Sequence, residues 1–277
     1  MVHPTVRRDT EQAKWLSSIN SCIAADGFKL EECDRVSGHP VFRVQRTDRG
    51  VRGTPKNLIF ASNGPKPELG FRDAINNDIV ILKNEKHCLV YEDRISDEGL
   101  LWDDLVEWWA KRKSLDSASI EARNSLGQRL LEALASEPEK MLFKSYFQLY
   151  KDRFNARLPA LIPQVYLHYD PVTMRQLNVR KEDKRFLVQR MDFLLLLPGR
   201  VRVVLEVDGQ QHYSEEVNGG MRPSPQLYSE TVKSDRILRL AGYEVYRFSG
   251  YELYEKSKAA ITILEFFDAL FRRHRLT

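Results

Sequence analysis

Two short apolar runs separated by a Pro-Gly turn signal constrain this chain more than any other feature. The runs are FLLLL at 193–197 and VRVVL at 201–205, with Pro198 and Gly199 between them. Runs this short, rich in leucine and β-branched residues and bounded by a turn signal, are typical of buried strands. The stretch 186–213 therefore predicts an antiparallel hairpin whose two strands are mostly buried.

The length of the turn decides which side chains of this hairpin face each other. A three-residue turn over 198–200 sets Asp192 directly opposite Glu206. A two-residue turn would instead set Asp192 opposite Leu205, because a shift of one residue changes the face of every side chain. Leu205 belongs in a core, so we prefer the three-residue register.

Three acidic residues then share one face of the hairpin, because period-two alternation adds Asp208 to Asp192 and Glu206. Opposed carboxylates with Cβ atoms about 5 Å apart repel by roughly 3 kcal/mol at an effective dielectric of about 20, and a divalent cation removes that repulsion. The alternative is that each acid ends a strand and turns to water. Because these acids follow such apolar runs, and an unpaired buried charge costs several kcal/mol, we favour a metal or catalytic site.

Length and composition limit the classes to which the chain can belong. A chain of 277 residues favours two domains, and 42% hydrophobic residues are enough for real cores. The 43 basic and 39 acidic residues leave a net charge of +4, which permits nucleic-acid binding without requiring it. The three cysteines form neither a CxxC pair nor a zinc spacing with the six histidines, and they suit a reducing cytoplasm. No apolar leader and no membrane-spanning stretch is expected.

Hydrophobic periodicity and turn signals predict the order of elements along the chain. The first half predicts a helix at 10–25, strands at 41–45 and 56–61, a loop at 63–67, a helix at 68–77, a strand at 87–91 and a helix at 101–109. Helical aromatics such as Trp102, Trp108 and Trp109 are typical of a core. The polar stretch 111–119 predicts a domain boundary, which gives domains at 1–113 and 114–277.

The second half predicts a helix at 120–135 and another from Ser136, where Ser136 and Glu139 fit a capping box. Beyond them we expect a strand at 161–168, a charged loop up to Lys184, the central hairpin and a Gly/Pro-rich excursion at 219–225. A helix at 226–241, a strand at 243–248 and a closing helix at 256–274 complete the order.

This order of elements resembles the PD-(D/E)XK nuclease superfamily, in particular its very-short-patch-repair-endonuclease-like branch. The residues that carry the resemblance are MDF at 191–193, EVDGQQHY at 206–213, KSDRIL at 233–238 and GYEVYRF at 242–248. The resemblance covers about 136–253. It implies an α/β fold, with a small α+β N-terminal domain followed by a restriction-endonuclease-like αβ sandwich around a central mixed sheet.

For the site, the resemblance implies that Asp192, Glu206 and the backbone carbonyl of Val207 hold Mg²⁺ or Mn²⁺, for which hard oxygen ligands are suited. Asp208 would orient the attacking water or help to hold a second ion. His212 would donate a proton to the leaving oxygen, or it is merely a satisfied residue at a strand end.

Two departures from the superfamily's pattern affect this expectation. Met191 replaces the proline before the first acid, and Asp208 stands where the catalytic lysine is usual. Without that lysine, Gln211, His212, Lys233 or Arg236 would have to supply its function. Arg236 is the weaker candidate for a phosphate contact.

For two further residues of the second half, Glu139 and Gln164, the sequence allows two roles each. Glu139 either completes the metal shell or only caps its helix. Gln164 either contacts phosphate or water, or is a solvent-facing strand residue.

The first half resembles the N-terminal domain of AbiJ-type abortive-infection proteins over about 15–109. PKNLIFAS at 55–62, GPKPE at 64–68, DAINND at 73–78 and the pair Trp108-Trp109 carry this resemblance. Such proteins often carry a HEPN ribonuclease domain, whose arginine-and-histidine signature does not occur in this sequence. The loop with Asn63, Lys66 and Glu68 either binds a ligand or partner or simply connects a strand to a helix.

Together these features predict a cytoplasmic, Mg²⁺- or Mn²⁺-dependent DNA endonuclease that acts in phage defence under the control of an AbiJ-like regulatory domain. The alternatives are a ribonuclease on the same scaffold and a catalytically silent module that binds nucleic acid or a partner. The expected partners are nucleic acid, DNA rather than RNA, and a second copy of the chain or a companion defence protein. No membrane partner is expected.

Overall fold

The computed structural model describes residues 9–24, 28–36, 39–46, 58–65, 67–73, 78–93, 95–96, 98–166, 190–217 and 219–276. The helices are α1 (Asp9–Ala24), α2 (Trp102–Lys113), α3 (Ile120–Leu131), α4 (Glu137–Phe154), α5 (Pro225–Leu240) and α6 (Lys256–Arg273). The strands are β1 (Phe28–Val36), β2 (His39–Arg46), β3 (Leu58–Phe60), β4 (Glu68–Asp73), β5 (Asp78–Lys83), β6 (Leu89–Tyr91), β7 (Ile162–Tyr166), β8 (Arg190–Leu197), β9 (Val201–Asp208), β10 (Ser214–Val217), β11 (Gly220–Pro223) and β12 (Glu244–Ser249).

The central hairpin, β8 and β9, has the predicted three-residue turn. Leu197 pairs with Val201 and Phe193 pairs with Leu205, so the preferred register is confirmed. Gly199 has φ +70°, a left-handed conformation that glycine adopts without a steric penalty. Both strands are buried along nearly their whole length, as the two apolar runs predict.

A four-stranded mixed sheet surrounds this hairpin in the order β12-β9-β8-β7. β7, β8 and β9 are antiparallel neighbours, whereas β12 runs parallel to β9. Two parallel strands need a long crossover between them, and here the chain passes through α5, which packs against β12. The predicted α/β fold with a central mixed sheet is confirmed.

Helices α4 and α6 contact each other and supply an aromatic layer of the core. Tyr146 and Tyr150 from α4 lie with ring centroids 4.7 Å and 5.8 Å from Phe267 of α6. Tyr146 is fully buried, and its hydroxyl donates a hydrogen bond to the carbonyl of Pro159 at 2.8 Å. Buried aromatics of this size contribute strongly to core energetics, so this layer holds α4 in place.

The first half contains smaller sheets. α1 packs on β1, and the Asn20 side chain bonds both backbone groups of Leu30, at 2.6 Å to its N–H and 3.3 Å to its carbonyl. β3 pairs with β6 and also lies against β7, where the Ala61 N–H donates to the carbonyl of Pro163 at 3.0 Å. The predicted first helix and the strands near 41–45, 56–61 and 87–91 are confirmed with small shifts of their ends.

The prediction of a helix at 68–77 is wrong. Residues Glu68–Asp73 form β4, which pairs antiparallel with β5. The segment alternates Leu69 and Phe71 around Gly70, and its partner DIVILK is rich in β-branched residues, which favour strands. Pairing with a neighbouring strand therefore outweighed the weak helical propensity of this segment.

The tryptophan-bearing helix α2 belongs to the core, as predicted. Trp102, Trp108 and Trp109 are each less than one-tenth exposed. The backbone before and at the start of α2 joins the second half, because the Leu100 N–H donates to Leu196 at 3.1 Å and the Trp102 N–H donates to Leu158 at 2.7 Å. One hydrophobic core thus extends across residue 113, and the division into domains at that point stays a prediction.

Some predictions concern residues outside the described part of the chain. These are the charged loop up to Lys184, the last residues of the strand at 161–168 and Lys66 of the 63–68 loop. Among the helices of the described residues, none is long and apolar enough to span a membrane.

Candidate active site

The strand registers place four polar residues in one row across the central sheet. They are Gln164 on β7, Asp192 on β8, Glu206 on β9 and Arg247 on β12. Arg247 is the direct register partner of Glu206, and the two antiparallel registers continue the row to Asp192 and Gln164. We call these four residues the polar row. Asp192 therefore lies opposite Glu206, as the sequence predicts.

Asp192 is the carboxylate of the row whose position is best defined. It is 6% exposed, and its Oδ2 accepts a hydrogen bond from the Val207 N–H at 2.9 Å. Burial raises the pKa of Asp192 to about 6; the Val207 hydrogen bond opposes this rise and the charge of Glu139 adds to it. The interpretation of Asp192 as a strand-end acid turned to water is wrong, because the strand that carries it is covered on both faces.

Glu206 is equally buried, at 4% exposed. Burial and then the charge of Asp192 raise its pKa well above the ordinary value, while Arg247 acts in the opposite direction. Its Oε1 is buried and finds no hydrogen-bond donor among the described residues. A buried acceptor without a donor is costly, so this atom indicates a missing positive or donating group.

Gln164 and Glu139 form a buried pair beside Asp192. The Gln164 amide donates to Glu139 Oε2 at 2.7 Å, and Gln164 is completely buried, so its interpretation as a solvent-facing residue is wrong. A carboxylate only accepts, so this bond assigns the Gln164 nitrogen to Glu139. The other amide atom, Oε1, is buried and has no partner in the described part of the chain.

Glu139 has the predicted capping role and a second one. The Ser136 hydroxyl accepts from the Glu139 N–H at 3.2 Å, which confirms Ser136 as the predicted N-cap of α4, and it donates to Glu139 Oε1 at 2.7 Å. The Glu139 side chain accepts from the Ala135 N–H rather than from the Ser136 N–H that a complete capping box uses. Its Oε2 accepts from the Ala135 N–H at 3.2 Å as well as from Gln164. Glu139 therefore joins the start of α4 to the polar row while both of its oxygens are engaged by protein donors.

Arg247 is the functional candidate that sequence reasoning missed. Its Nε and Nη2 donate to the two oxygens of Asp208, both at 2.7 Å, and its Nη1 donates to Asp235 at 2.7 Å. Burial alone would lower the pKa of Arg247, but the hydrogen bonds and charge of Asp208, with Glu206 and Asp235, raise it overall. Arg247 lies in the GYEVYRF segment, which forms β12. The signal that could have identified it is the pairing of this strand with β9, which places Arg247 beside Glu206.

The neighbouring turn holds His212 and Gln211. His212 Nδ1 lies 3.4 Å from Asp208 Oδ1, and its side chain is about one-third exposed. Gln211 is exposed to solvent. The structure thus brings His212, but not the side chain of Gln211, into contact with the acids.

Lys233 and Arg236, the two basic residues predicted to contact phosphate, lie on α5 together with Asp235 and differ in their exposure to solvent. Asp235 faces the sheet and pairs with Arg247, whereas its neighbour Arg236 is exposed to solvent. Lys233 is half-buried on the same helix. A contact of Lys233 or Arg236 with phosphate stays a prediction.

Two residues of the predicted 63–68 binding segment contact residues 83–87, and one of them, Glu68, is the first residue of β4. The Asn63 N–H donates to the His87 carbonyl at 3.1 Å, and Glu68 forms an exposed ion pair with Lys83 at 2.7 Å. A role of Asn63, Lys66 and Glu68 in binding a ligand stays a prediction.

The oxygen atoms of the polar row are of the type that binds a hard divalent cation. In the part of the chain that the structure describes, no group of three or more His, Cys, Asp and Glu side chains is placed to hold a metal ion. The row instead offers the two carboxylates of Asp192 and Glu206 and the amide oxygen of Gln164, and the backbone carbonyl of Val207 follows Glu206 on β9. The unpartnered oxygens of Glu206 and Gln164 are the type of ligand that Mg²⁺ and Mn²⁺ prefer.

Comparison with known protein families gives a match at the N-terminus. Residues 1–44 match the family model of AbiJ N-terminal domain 3. This confirms the AbiJ-like character of the N-terminus, although the match lies ahead of the stretches between 55 and 109 on which the sequence resemblance was based. No curated protein and no solved structure matches the chain significantly.

Proposed function

We propose that the chain is a metal-dependent endonuclease that hydrolyses phosphodiester bonds of DNA in an abortive-infection defence system. The observation that carries this proposal is the buried pair Asp192 and Glu206, with raised pKa values and an unpartnered Glu206 oxygen. Two facing buried carboxylates are unfavourable unless a cation compensates them. Pairs of perturbed acids at one place are also typical of catalytic sites.

Asp192, Glu206 and the Val207 carbonyl would hold Mg²⁺ or Mn²⁺, with Gln164 Oε1 as a further oxygen ligand. Such an ion polarises a phosphoryl oxygen and lowers the pKa of bound water. The Val207 N–H fixes the Asp192 carboxylate at 2.9 Å, so one ligand needs no rearrangement before binding. Glu139 fixes the Gln164 amide in the same way.

The defence context is supported by the match of residues 1–44 to AbiJ N-terminal domain 3. The remaining first half would restrain or trigger the nuclease. DNA is preferred over RNA because the second half resembles DNA endonucleases of the very-short-patch-repair type.

One observation favours a catalytically silent nucleic-acid-binding or partner-binding module as the second candidate. Asp208 replaces the usual lysine, and both of its oxygens are occupied by Arg247. In that case the row would be a structural feature without turnover.

The test is cleavage of supercoiled plasmid and of total RNA with Mg²⁺ or Mn²⁺. The full chain would be compared with Asp192→Ala and Glu206→Ala, and with Glu244→Gln as a matched control on the same sheet, where Glu244 contacts Tyr246 and His274 instead of the row. We expect plasmid nicking or linearisation that both alanine variants lose and the control keeps.

Loss of RNA with intact plasmid would replace the DNase by the ribonuclease. If neither substrate is cleaved, calorimetric titration with Mn²⁺ decides: binding that Asp192→Ala abolishes indicates a restrained enzyme, and no binding indicates the silent module.

A further inference from the structure

Arg247 is clamped between two carboxylates. Its planar guanidinium grips both oxygens of Asp208, and a third N–H reaches Asp235 on α5, all three bonds measuring 2.7 Å. The three side chains are between 16% and 19% exposed, so solvent screens these bonds only weakly. Bidentate arginine–carboxylate pairs of this kind restrict both partners to one geometry.

This clamp limits what Arg247 can do. Three of its five N–H donors are already used, and the two acids balance its charge, so it is not a free cation comparable to the lysine that the nuclease pattern lacks. Its effect must therefore pass through the residue that it holds most tightly, which is Asp208.

Asp208 in turn contacts His212. Its Oδ1 lies 3.4 Å from His212 Nδ1. A carboxylate is acceptor-only, so the facing nitrogen carries a proton, and Nε2 is the nitrogen left for other chemistry. The turn Gln210–His212 is closed by a 3.0 Å bond from the His212 N–H to the Gly209 carbonyl, and it packs against α5.

We propose that Arg247 and Asp208 are positioning residues that hold His212 with Nδ1–H toward Asp208 and Nε2 toward the leaving oxygen of a phosphodiester. This inference rests on the proposed nuclease function and names the source of the proton for the same site. The oxygen of water forms a bond to phosphorus and the bond from phosphorus to the leaving oxygen breaks. The reacting form of His212 is the imidazolium, in which both ring nitrogens carry a proton. Its Nε2 proton passes to that oxygen and leaves the neutral Nδ1–H ring, and the attacking water releases its own proton to solvent. The products are a phosphate monoester and an alcohol, and His212 is reprotonated from solvent.

The kinetic test compares two substrates that differ in their need for a proton. When DNA is cleaved, the leaving group is a sugar alkoxide, which requires protonation. When bis(p-nitrophenyl) phosphate is cleaved, the leaving group is p-nitrophenolate, which is stable without protonation. The variants are His212→Gln, Arg247→Gln, Arg247→Lys and Asp192→Asn, with Arg239→Lys as the control, since Arg239 contacts Val245 rather than the acids.

On DNA we expect His212→Gln to lower kcat by roughly 100-fold, the low end for general acid catalysis, and Arg247→Gln to lower it by about 10-fold or more with little change in KM. Arg247→Lys should recover part of the loss, because it keeps the charge but not the bidentate grip. On bis(p-nitrophenyl) phosphate, the kcat of His212→Gln and of Arg247→Gln should lie within about threefold of the parent value. Asp192→Asn should be inactive on both substrates. Equal losses on both substrates would overturn the proposal.

The second readout is independent of turnover. Nitrogen NMR of ¹⁵N-histidine-labelled protein, assigned with His212→Gln, reports which ring nitrogen carries the proton. At a pH where the ring is neutral, we expect the Nδ1–H tautomer in the parent chain and a mixture of tautomers in Arg247→Gln. An Nε2–H tautomer in the parent, or no change in the variant, contradicts the proposal even if the enzyme cleaves DNA. If the chain cleaves nothing and binds no Mn²⁺ but the NMR result is as expected, the proposed function fails and the positioning of His212 stands. Circular dichroism and Mn²⁺ calorimetry should show that Arg247→Gln keeps its fold and its metal site.

Discussion

Two hairpins follow each other in this chain, and both carry acidic residues on their strands, yet only one of them forms a candidate site. In β8–β9, Asp192 and Glu206 are buried in the middle of a four-stranded sheet. In β10–β11, Glu215 and Glu216 are exposed on a two-stranded sheet, where Glu215 lies opposite Arg222. Both hairpins carry carboxylates, so it is burial, rather than the presence of acids alone, that raises the pKa values of Asp192 and Glu206.

The largest expected difference between the two hairpins is in stability. Leu195 of β8 is fully buried, whereas Met221 of β11 is 44% exposed. Leu195→Ala should lower the free energy of unfolding by about 2–5 kcal/mol, because it leaves a cavity, and Met221→Ala should change it by less than about 0.5 kcal/mol. Urea denaturation measures both values. Similar values for the two variants would show that the hairpins are not packed as described.

The second expected effect is stabilisation by metal. At a Mg²⁺ concentration about 100 times its dissociation constant, the folded chain should gain about 2.7 kcal/mol, or a rise in Tm of roughly 5–10 °C. Asp192→Asn should lose this rise, while Glu216→Gln should keep it, because only Asp192 belongs to the polar row. Differential scanning calorimetry with and without EDTA gives the comparison. An equal rise in both variants would place the ion elsewhere.

A smaller effect concerns the pH dependence of the metal-free protein. Burial raises the pKa of Asp192 from 3.8 to about 6, so between these values the folded chain holds more protons than the unfolded chain. Stability therefore falls as the pH rises through this window. At pH 7.5 Asp192→Asn should be about 1–3 kcal/mol more stable than the parent, because one pKa unit corresponds to about 1.4 kcal/mol.

At pH 4 this advantage should largely disappear, since Asp192 is then protonated in the folded parent. Urea denaturation in EDTA at both pH values is the measurement. Glu216→Gln, which removes one exposed carboxylate from the other hairpin, is the control. A parent that is more stable at pH 7.5 than Asp192→Asn would contradict the burial of an ionised carboxylate at this position.

The smallest expected effect is in the two turns. Gly199 in the turn of β8–β9 has φ +70°, and Gly219 in the turn of β10–β11 has φ +80°. Alanine at either position meets no atom within 4 Å, so only backbone strain opposes it. Gly199→Ala should cost about 1–2 kcal/mol. Gly219→Ala should cost less in global unfolding, because an exposed hairpin can open locally. Equal costs in urea denaturation would show that both hairpins unfold as one unit.

The local elements of the fold could largely be predicted from the sequence. The apolar runs, the turn 198–200 and the N-cap at Ser136 each act through neighbouring residues, and each is confirmed. For residues 68–77 the sequence predicts a helix, whereas the structure forms strand β4 over Glu68–Asp73. Pairing with β5 makes the strand the preferred conformation of this segment. A short window of sequence contains little information about such pairing.

The sequence by itself determined the two opposed acids of β8–β9, because a three-residue turn and period-two alternation are local rules. Only the tertiary structure decided that Gln164 and Arg247 extend these acids into a row, that Arg247 holds Asp208, and that Asp235 rather than Arg236 faces the sheet. These contacts join residues far apart in the chain. Their geometry depends on the order and register of strands and on the face that α5 presents, and no spacing within a single segment specifies those.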